Sequence, residues 1–320
     1  MTFVHDDPEF EDLLGITAGK RGLAPGLIEK DYWVTHALWA LHEQGFDVWF
    51  KGGTSLSKGF GLIERFSEDL DLKVDPGATT LPAVSNWKSE GTKATAERRT
   101  SFQALATMLV VPGAGVETDT PPRDPTWRNV EFRVVYPRKF LAELPGPLRP
   151  FVLLEIGHAR VTPFVERDLT SFVHQELEGS GQLGDYADNR PRRVRCVHPL
   201  VTLLEKLDAI SRRAPQERID PAVFARHFED AARIILAAGT LPDLDGYATV
   251  GALAEEMVAE SRQIAVLPRA DDPAFALPPG ERTRAIRQAY AAIAPMYWGK
   301  RMDLDDACGT IRDWIARSFR

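Results

Sequence analysis

Asp69 and Asp71 are the residues of this chain best suited to chemistry. They stand two apart in the run DLDLKV, Asp69–Val74, whose Leu70, Leu72 and Val74 are apolar. If that run is a strand, both carboxylates leave the same face, about 7 Å apart along it. Phosphoryl-transfer sites hold two divalent cations about 3.5–4 Å apart, and such a pair of carboxylates could bind them. On a helix, residues i and i+2 diverge and could not share an ion. Upstream, Gly52-Gly53 turns the chain and precedes the hydroxyls of Thr54, Ser55 and Ser57. A glycine pair lets backbone approach a phosphate with no Cβ in the way, and a helix starting behind it aims free N–H groups at an anion. Lys58 could meet a phosphate there or be a solvated helix lysine. A lone GG is usually a turn, and a lone DxD a strand edge. In this order, with thirteen residues between Ser55 and Asp69 and strand-like flanks, they read as a phosphate cradle beside a metal position.

The elements that must position these groups follow from periodicity. Residues 25–43 read as a helix with Pro25 near its start, where a missing N–H costs little, and with Ile28, Tyr32, Thr35, Leu38, Trp39 and Leu41 on a broad apolar face. Phe46–Phe50 is a short strand into the glycine turn. Leu56, Phe60 and Ile63 keep i, i+4, i+7 spacing, which predicts a helix continuing past the turn. Asp75-Pro76-Gly77 ends the second strand, residues 76–86 are a loop, and Trp87–Val110 reads as helix. Residues 112–126, rich in proline and glycine, are a loop. Val130–Tyr136 alternates as a half-exposed strand, and Pro145, Pro147 and Pro150 mark the next loop. Phe151–Ile156 is an apolar strand holding one carboxylate. An unpaired buried charge is costly, so Glu155 is paired, at a sheet end, or bound to a metal; Glu131 is the second choice for that metal role.

From Leu200 the pattern is helical almost to the end, with loops at 239–246 and 268–281 and later helices around 246–266, 282–297 and 303–319. Leu200, Leu203, Leu204, Leu207 and Ile210 form one stripe, with Lys206 at its edge. Val223, Phe224, Phe228, Ala231, Ile234 and Ile235 form another, and Asp230 falls on its flank. An aspartate there needs a partner, and Lys206 would serve, as a structural ion pair or as part of an active site. The expected fold is α+β, a small mixed β-sheet core with helices over 1–197 followed by a mainly helical region over 198–320.

Composition sets outer bounds. The chain has 320 residues, 44% hydrophobic and 27% charged, with seven tryptophans, which fits a folded protein rather than a disordered one. No apolar run reaches the 18 residues a membrane helix needs. The opening MTFVHDDPEFED lacks a signal-peptide pattern. Cys196 and Cys308 are too few for a disulfide framework, so a cytoplasmic home is expected. A formal charge of −7 argues against indiscriminate nucleic-acid binding. RPRRVR, with Arg190, Arg192, Arg193 and Arg195, remains a candidate RNA contact as well as an ordinary solvated face.

GGTSLSK followed by ERFSEDLDL resembles the first motif of the DNA polymerase β-like nucleotidyltransferase superfamily, and more closely the AbiEii family, which includes the MenT toxins. EKDYWVT, TLLEKLDAI and RHFEDAARII resemble further segments of that family, so the likeness covers most of residues 25–75 and 198–236. The resemblance implies that Asp69 and Asp71 bind Mg²⁺, with Mn²⁺ as an alternative, and that a third carboxylate on a neighbouring strand completes the site, here Glu155. It implies that Gly52, Gly53, Thr54, Ser55 and Lys58 hold the phosphates of a nucleoside triphosphate. Lys206 and Asp230 then belong to the catalytic region, the C-terminal part contributing to the active-site cleft. The implied reaction transfers a nucleotide to RNA, notably the 3′ end of tRNA, blocking translation and growth until a cognate antitoxin intervenes. A phosphate placed on Ser67 would oppose the metal site electrostatically, which makes Ser67 a candidate regulatory position. A nucleotidyltransferase acting on a small molecule or a protein is the alternative, and a non-catalytic binding protein of the same fold is the rival from another class. No membrane partner is expected.

Overall fold

Alternation builds the sheet. Val48 and Phe50, Leu70, Leu72 and Val74, Val130, Phe132 and Val134, and Val152, Leu154 and Ile156 are buried, while the residues between them, Leu153 excepted, reach solvent in part. In the computed structural model, which describes residues 1–67, 69–144, 148–216, 219–260 and 264–319, these segments are strands β1 (Asp47–Lys51), β2 (Asp69–Asp75), β4 (Asn129–Val135) and β5 (Val152–Gly157). Three shorter strands, β3 (Gly115–Thr118), β6 (Phe164–Arg167) and β7 (Val194–Val197), complete a seven-stranded mixed sheet of order β3-β4-β5-β2-β1-β7-β6. β2 runs antiparallel to β1 and parallel to β5. Pro145 and Pro147, expected in a loop, lie outside the described residues, as do positions 261–263 of the helix expected over 246–266.

Helices α1 (Phe10–Arg21), α2 (Pro25–Glu43), α3 (Gly52–Lys58), α4 (Thr92–Met108) and α5 (Phe172–Ser180) accompany the sheet. α2 spans the residues expected of it, but it is buried nearly all round rather than on one face. Its turn EKD is buried too, because α2 packs between α1, α5 and the strands β1 and β5.

The C-terminal helices are α6 (Pro199–Arg213), α7 (Pro221–Ala237), α8 (Val250–Glu260), α9 (Glu281–Ala292) and α10 (Leu304–Ser318). Both apolar stripes are core here, except that Val223 is only half-buried. α7 packs against α6, α9 and α10. The fold is therefore α+β with a helical C-terminal region. The chain divides into two compact units: residues 1–54, 67–159 and 166–196, and residues 55–66, 160–165 and 197–320. No helix among the described residues is long and apolar enough to cross a membrane.

Several boundaries differ from the expectation. α3 includes the glycine pair and stops at Lys58, because Gly61 takes φ +62° and the Leu62 N–H donates to the Leu56 carbonyl (2.9 Å). Phe60 and Ile63 therefore lie beyond the helix. α4 starts at Thr92, not Trp87. The Asn86 side chain accepts from the N–H groups of Lys88 and Ser89 (both 2.9 Å), a local turn that competes with helix. The proline-rich loop contains β3, an edge strand whose four residues are too few for a visible alternation.

Candidate active site

β2 holds Asp69 and Asp71 on the partly exposed face of the sheet, alternating with buried Leu70 and Leu72. The parallel register with β5 sets Asp71 beside Glu155, and the antiparallel register with β4 sets Glu155 beside Glu131. On the other side, β1 places Lys51 opposite Asp71. One rung thus carries Glu131, Glu155, Asp71 and Lys51, with Asp69 two residues away on β2. Burial, and then the nearby charges of Asp69, Asp71 and Glu131, push the Glu155 carboxyl up to about 8. A divalent cation would relieve this crowding, and carboxylates are the donors a hard cation prefers. The donors fit in type and in shared face. Among the described residues, however, no three such side chains close around a single ion as they stand.

Gly52 fits against this rung. Its φ is +74°, and a Cβ built on it would lie 1.7 Å from Oδ2 of Asp71. The Thr54 hydroxyl donates to the Asp69 carbonyl (2.7 Å), and Ser67 donates to Asp69 Oδ1 (3.2 Å). Gly53 is buried in the first turn of α3, and the Ser55 hydroxyl is buried with no hydrogen-bond partner among the described residues. Lys58 closes α3, about 9 Å along the helix from Gly52.

In the helical unit Asp230 is fully buried. Lys206 on α6 donates to its Oδ2 (2.7 Å), as the stripe positions suggested. Arg65 supplies a second, bidentate partner, Nε to Oδ1 at 2.9 Å and Nη2 to Oδ2 at 2.7 Å. Burial alone would raise the Asp230 carboxyl, but Arg65 and Lys206 outweigh it and hold it far below the ordinary range. One turn earlier, both ring nitrogens of His227 are buried without partners among the described residues, and burial holds the ring well below its ordinary pKa.

The profile of the nucleotidyl transferase AbiEii toxin family, a type IV toxin–antitoxin family, matches residues 37–313. This chain belongs to the AbiEii family. No curated protein and no solved structure matches it significantly. An AbiEii chain is a toxin-like nucleotidyltransferase.

The arginine run of this AbiEii chain is heavily paired. Arg190 bonds Asp188 and lies 3.6 Å from Glu178; Arg192 contacts Asp168 and Asp188; Arg193 bonds Glu166; Arg195 lies 3.0 Å from Asp47. Acidic neighbours thus balance its charge. Arg65 is the residue that sequence reasoning missed. It stands in the quoted motif as a lone cation between buried Ile63 and Phe66, the same kind of signal that drew attention to Glu155. Its partner lies 165 residues away, and no local spacing reports that.

Proposed function

We propose that this AbiEii chain transfers a nucleoside monophosphate from a nucleoside triphosphate to RNA, with the 3′ end of tRNA as acceptor. The rung that sets Asp71 beside Glu155, with Gly52 stripped of a side chain where Asp71 lies, carries this reading. Asp69, Asp71 and Glu155 would hold Mg²⁺, or Mn²⁺ in its place. When bound, the cation would neutralise triphosphate charge and polarise the α-phosphate. The acceptor hydroxyl oxygen forms the new bond to the α-phosphorus, its proton goes to solvent, and the bond to the β-phosphate breaks to release pyrophosphate. The Ser55 hydroxyl is a donor available to a phosphate oxygen. The family resemblance assigns Lys206 to the catalytic region, and within the helical unit Asp230, clamped by Arg65, fixes where its ammonium sits. Loss of aminoacylation and growth arrest would follow, with a cognate antitoxin as the neutralising partner.

Incubating the full chain with each labelled nucleoside triphosphate, Mg²⁺ and total RNA tests the reading. RNA is expected to be labelled by the wild type and not by Asp69→Ala; no Asp69-dependent labelling would overturn it. The balanced charges around Arg190–Arg195 favour a second reading, in which the acceptor is a protein or a small molecule. Asp69-dependent label appearing in those fractions instead of RNA would select it.

A further inference from the structure

In the helical unit, Glu229 and Asp230 stand side by side on α7 and are both buried. Among the described residues, four cations pair with these two carboxylates: Arg65 and Lys206 with Asp230, Arg233 and Arg301 with Glu229. Burying such charges is costly unless each is paired, and Arg233 and Arg301 share the single Glu229 carboxylate. Arg301 is held firmly. Its Nε donates to Glu229 (2.9 Å) and its Nη1 to the Tyr290 carbonyl (3.0 Å). Its guanidinium carbon lies 4.0 Å and 3.9 Å from the ring centres of Tyr290 and Tyr297. The remaining nitrogen, Nη2, is buried and has no partner among the described residues.

The Tyr297 hydroxyl is also buried and without a partner among the described residues. Backbone pairing fixes this tyrosine next to the first cation of the cluster. Arg65 bridges Tyr297, the Phe66 N–H donates to the Met296 carbonyl (2.8 Å) and the Trp298 N–H to the Glu64 carbonyl (3.0 Å). Gly299 suits this approach, since a Cβ would lie 2.6 Å from the Glu64 Cβ, a contact that rotating the glutamate does not relieve. One of the two donors belongs to a guanidinium that shares its described carboxylate with Arg233, which favours an acceptor that brings negative charge. A buried water would satisfy the donors but not the charge. A guanidinium N–H and a hydroxyl together suit a tetrahedral oxyanion.

We infer that Tyr297 Oη and Arg301 Nη2 form a phosphate-binding subsite on the ion network that carries Lys206. This rests on the phosphate chemistry proposed above and adds two residues whose positions gave no chemical signal in the sequence. About a fifth of the Arg301 side chain reaches solvent (21% exposed).

Tyr297→Phe is the discriminating variant, because it deletes an oxygen that bonds nothing among the described residues. Calorimetric titration of the full chain in metal-free buffer, with inorganic tripolyphosphate and separately with an unphosphorylated single-stranded oligonucleotide, reads the subsite. Tripolyphosphate affinity is expected to fall about tenfold in Tyr297→Phe and further in Arg301→Gln, with the Tyr297→Phe melting temperature equal to or above that of the wild type. The same loss confined to the oligonucleotide would support the subsite and assign it to backbone phosphates of the acceptor. Wild-type affinity for both probes in both variants, no binding of either probe by the wild type, or a lowered melting temperature in Tyr297→Phe would overturn it. Failure of nucleotidyl transfer would show instead as missing Asp69-dependent label, leaving this binding intact.

Discussion

Gly52 has two independent reasons to lack a side chain. Its φ of +74° is strained for any L-residue, and the space a Cβ would take holds the Asp71 carboxylate. Gly52→Ala is therefore expected to cost about 1–2 kcal/mol of stability and to move Asp71 off its rung. Nucleotide transfer should fall far more than a loss of that size can explain, while circular dichroism still reports a folded chain. Activity close to wild type would show that Asp71 has room to shift. At this scale the sequence was readable where local geometry decides. Two aspartates at i and i+2 share a face in any strand, and the lone glutamate of FVLLEIG was conspicuous because its apolar neighbours made it so. Arg65, Tyr297 and Arg301 were not readable, since each acts through groups far away in the chain.

α2 shows how an element can be found while its role is misread. Its bounds follow from Pro25 and a helical pattern, but Glu29, Lys30 and Asp31 fall outside the apolar face that periodicity picks out. All three are buried, and each holds backbone of a different segment. Glu29 accepts from the N–H groups of Lys139 and Phe140 (2.8 and 3.1 Å), and Asp31 accepts from the N–H of Phe172 at the start of α5 (2.8 Å). The Lys30 ammonium donates to the carbonyls of Arg149 and Phe151 (2.7 and 2.8 Å), immediately before β5. Lys30→Met keeps the stem but leaves those carbonyls without their donor, at about 1–3 kcal/mol for a buried group left unsatisfied. A lowered melting temperature is expected, together with weaker transfer because β5 carries Glu155. An unchanged melting temperature would mean that water replaces the ammonium at no cost. The short strands β3, β6 and β7 were missed for the opposite reason: four residues cannot display a period, and their neighbours in the sheet select them.

Over the whole molecule, ionisable groups buried in unfavourable states set the expected pH profile. Burial lowers the pKa of His5, His36, His42, His158 and His227, that of His36 to about 4. His36 sits in a buried chain of hydrogen bonds, with Asn189 at Nδ1 (2.8 Å) and the Pro112 carbonyl at Nε2 (2.9 Å). The unfolded chain takes up protons near the ordinary value of 6.5 before the folded one does, so this stability is present above 6.5 and lost as pH falls towards 4. Glu155 works the other way. Its folded value of about 8 exceeds the ordinary 4.5, so its contribution is complete below 4.5 and lost as pH rises through 8. The metal-free chain should therefore melt highest near neutral pH, and Glu155→Gln should abolish the decline between about 6.5 and 8 while sparing the acid limb. A decline that persists in that variant would assign it to another group.

The sequence by itself determined the chemistry on offer, the helices α2, α6 and α7, the face shared by Asp69 and Asp71, and the resemblance to the AbiEii family, because each is written in residue types at short spacing. Tertiary structure alone decided that Glu155 stands beside Asp71, that Arg65 clamps Asp230, and that Tyr297 meets Arg301 on that same network. Those pairings come from strand register and from segments laid together by packing, and local periodicity carries no record of either.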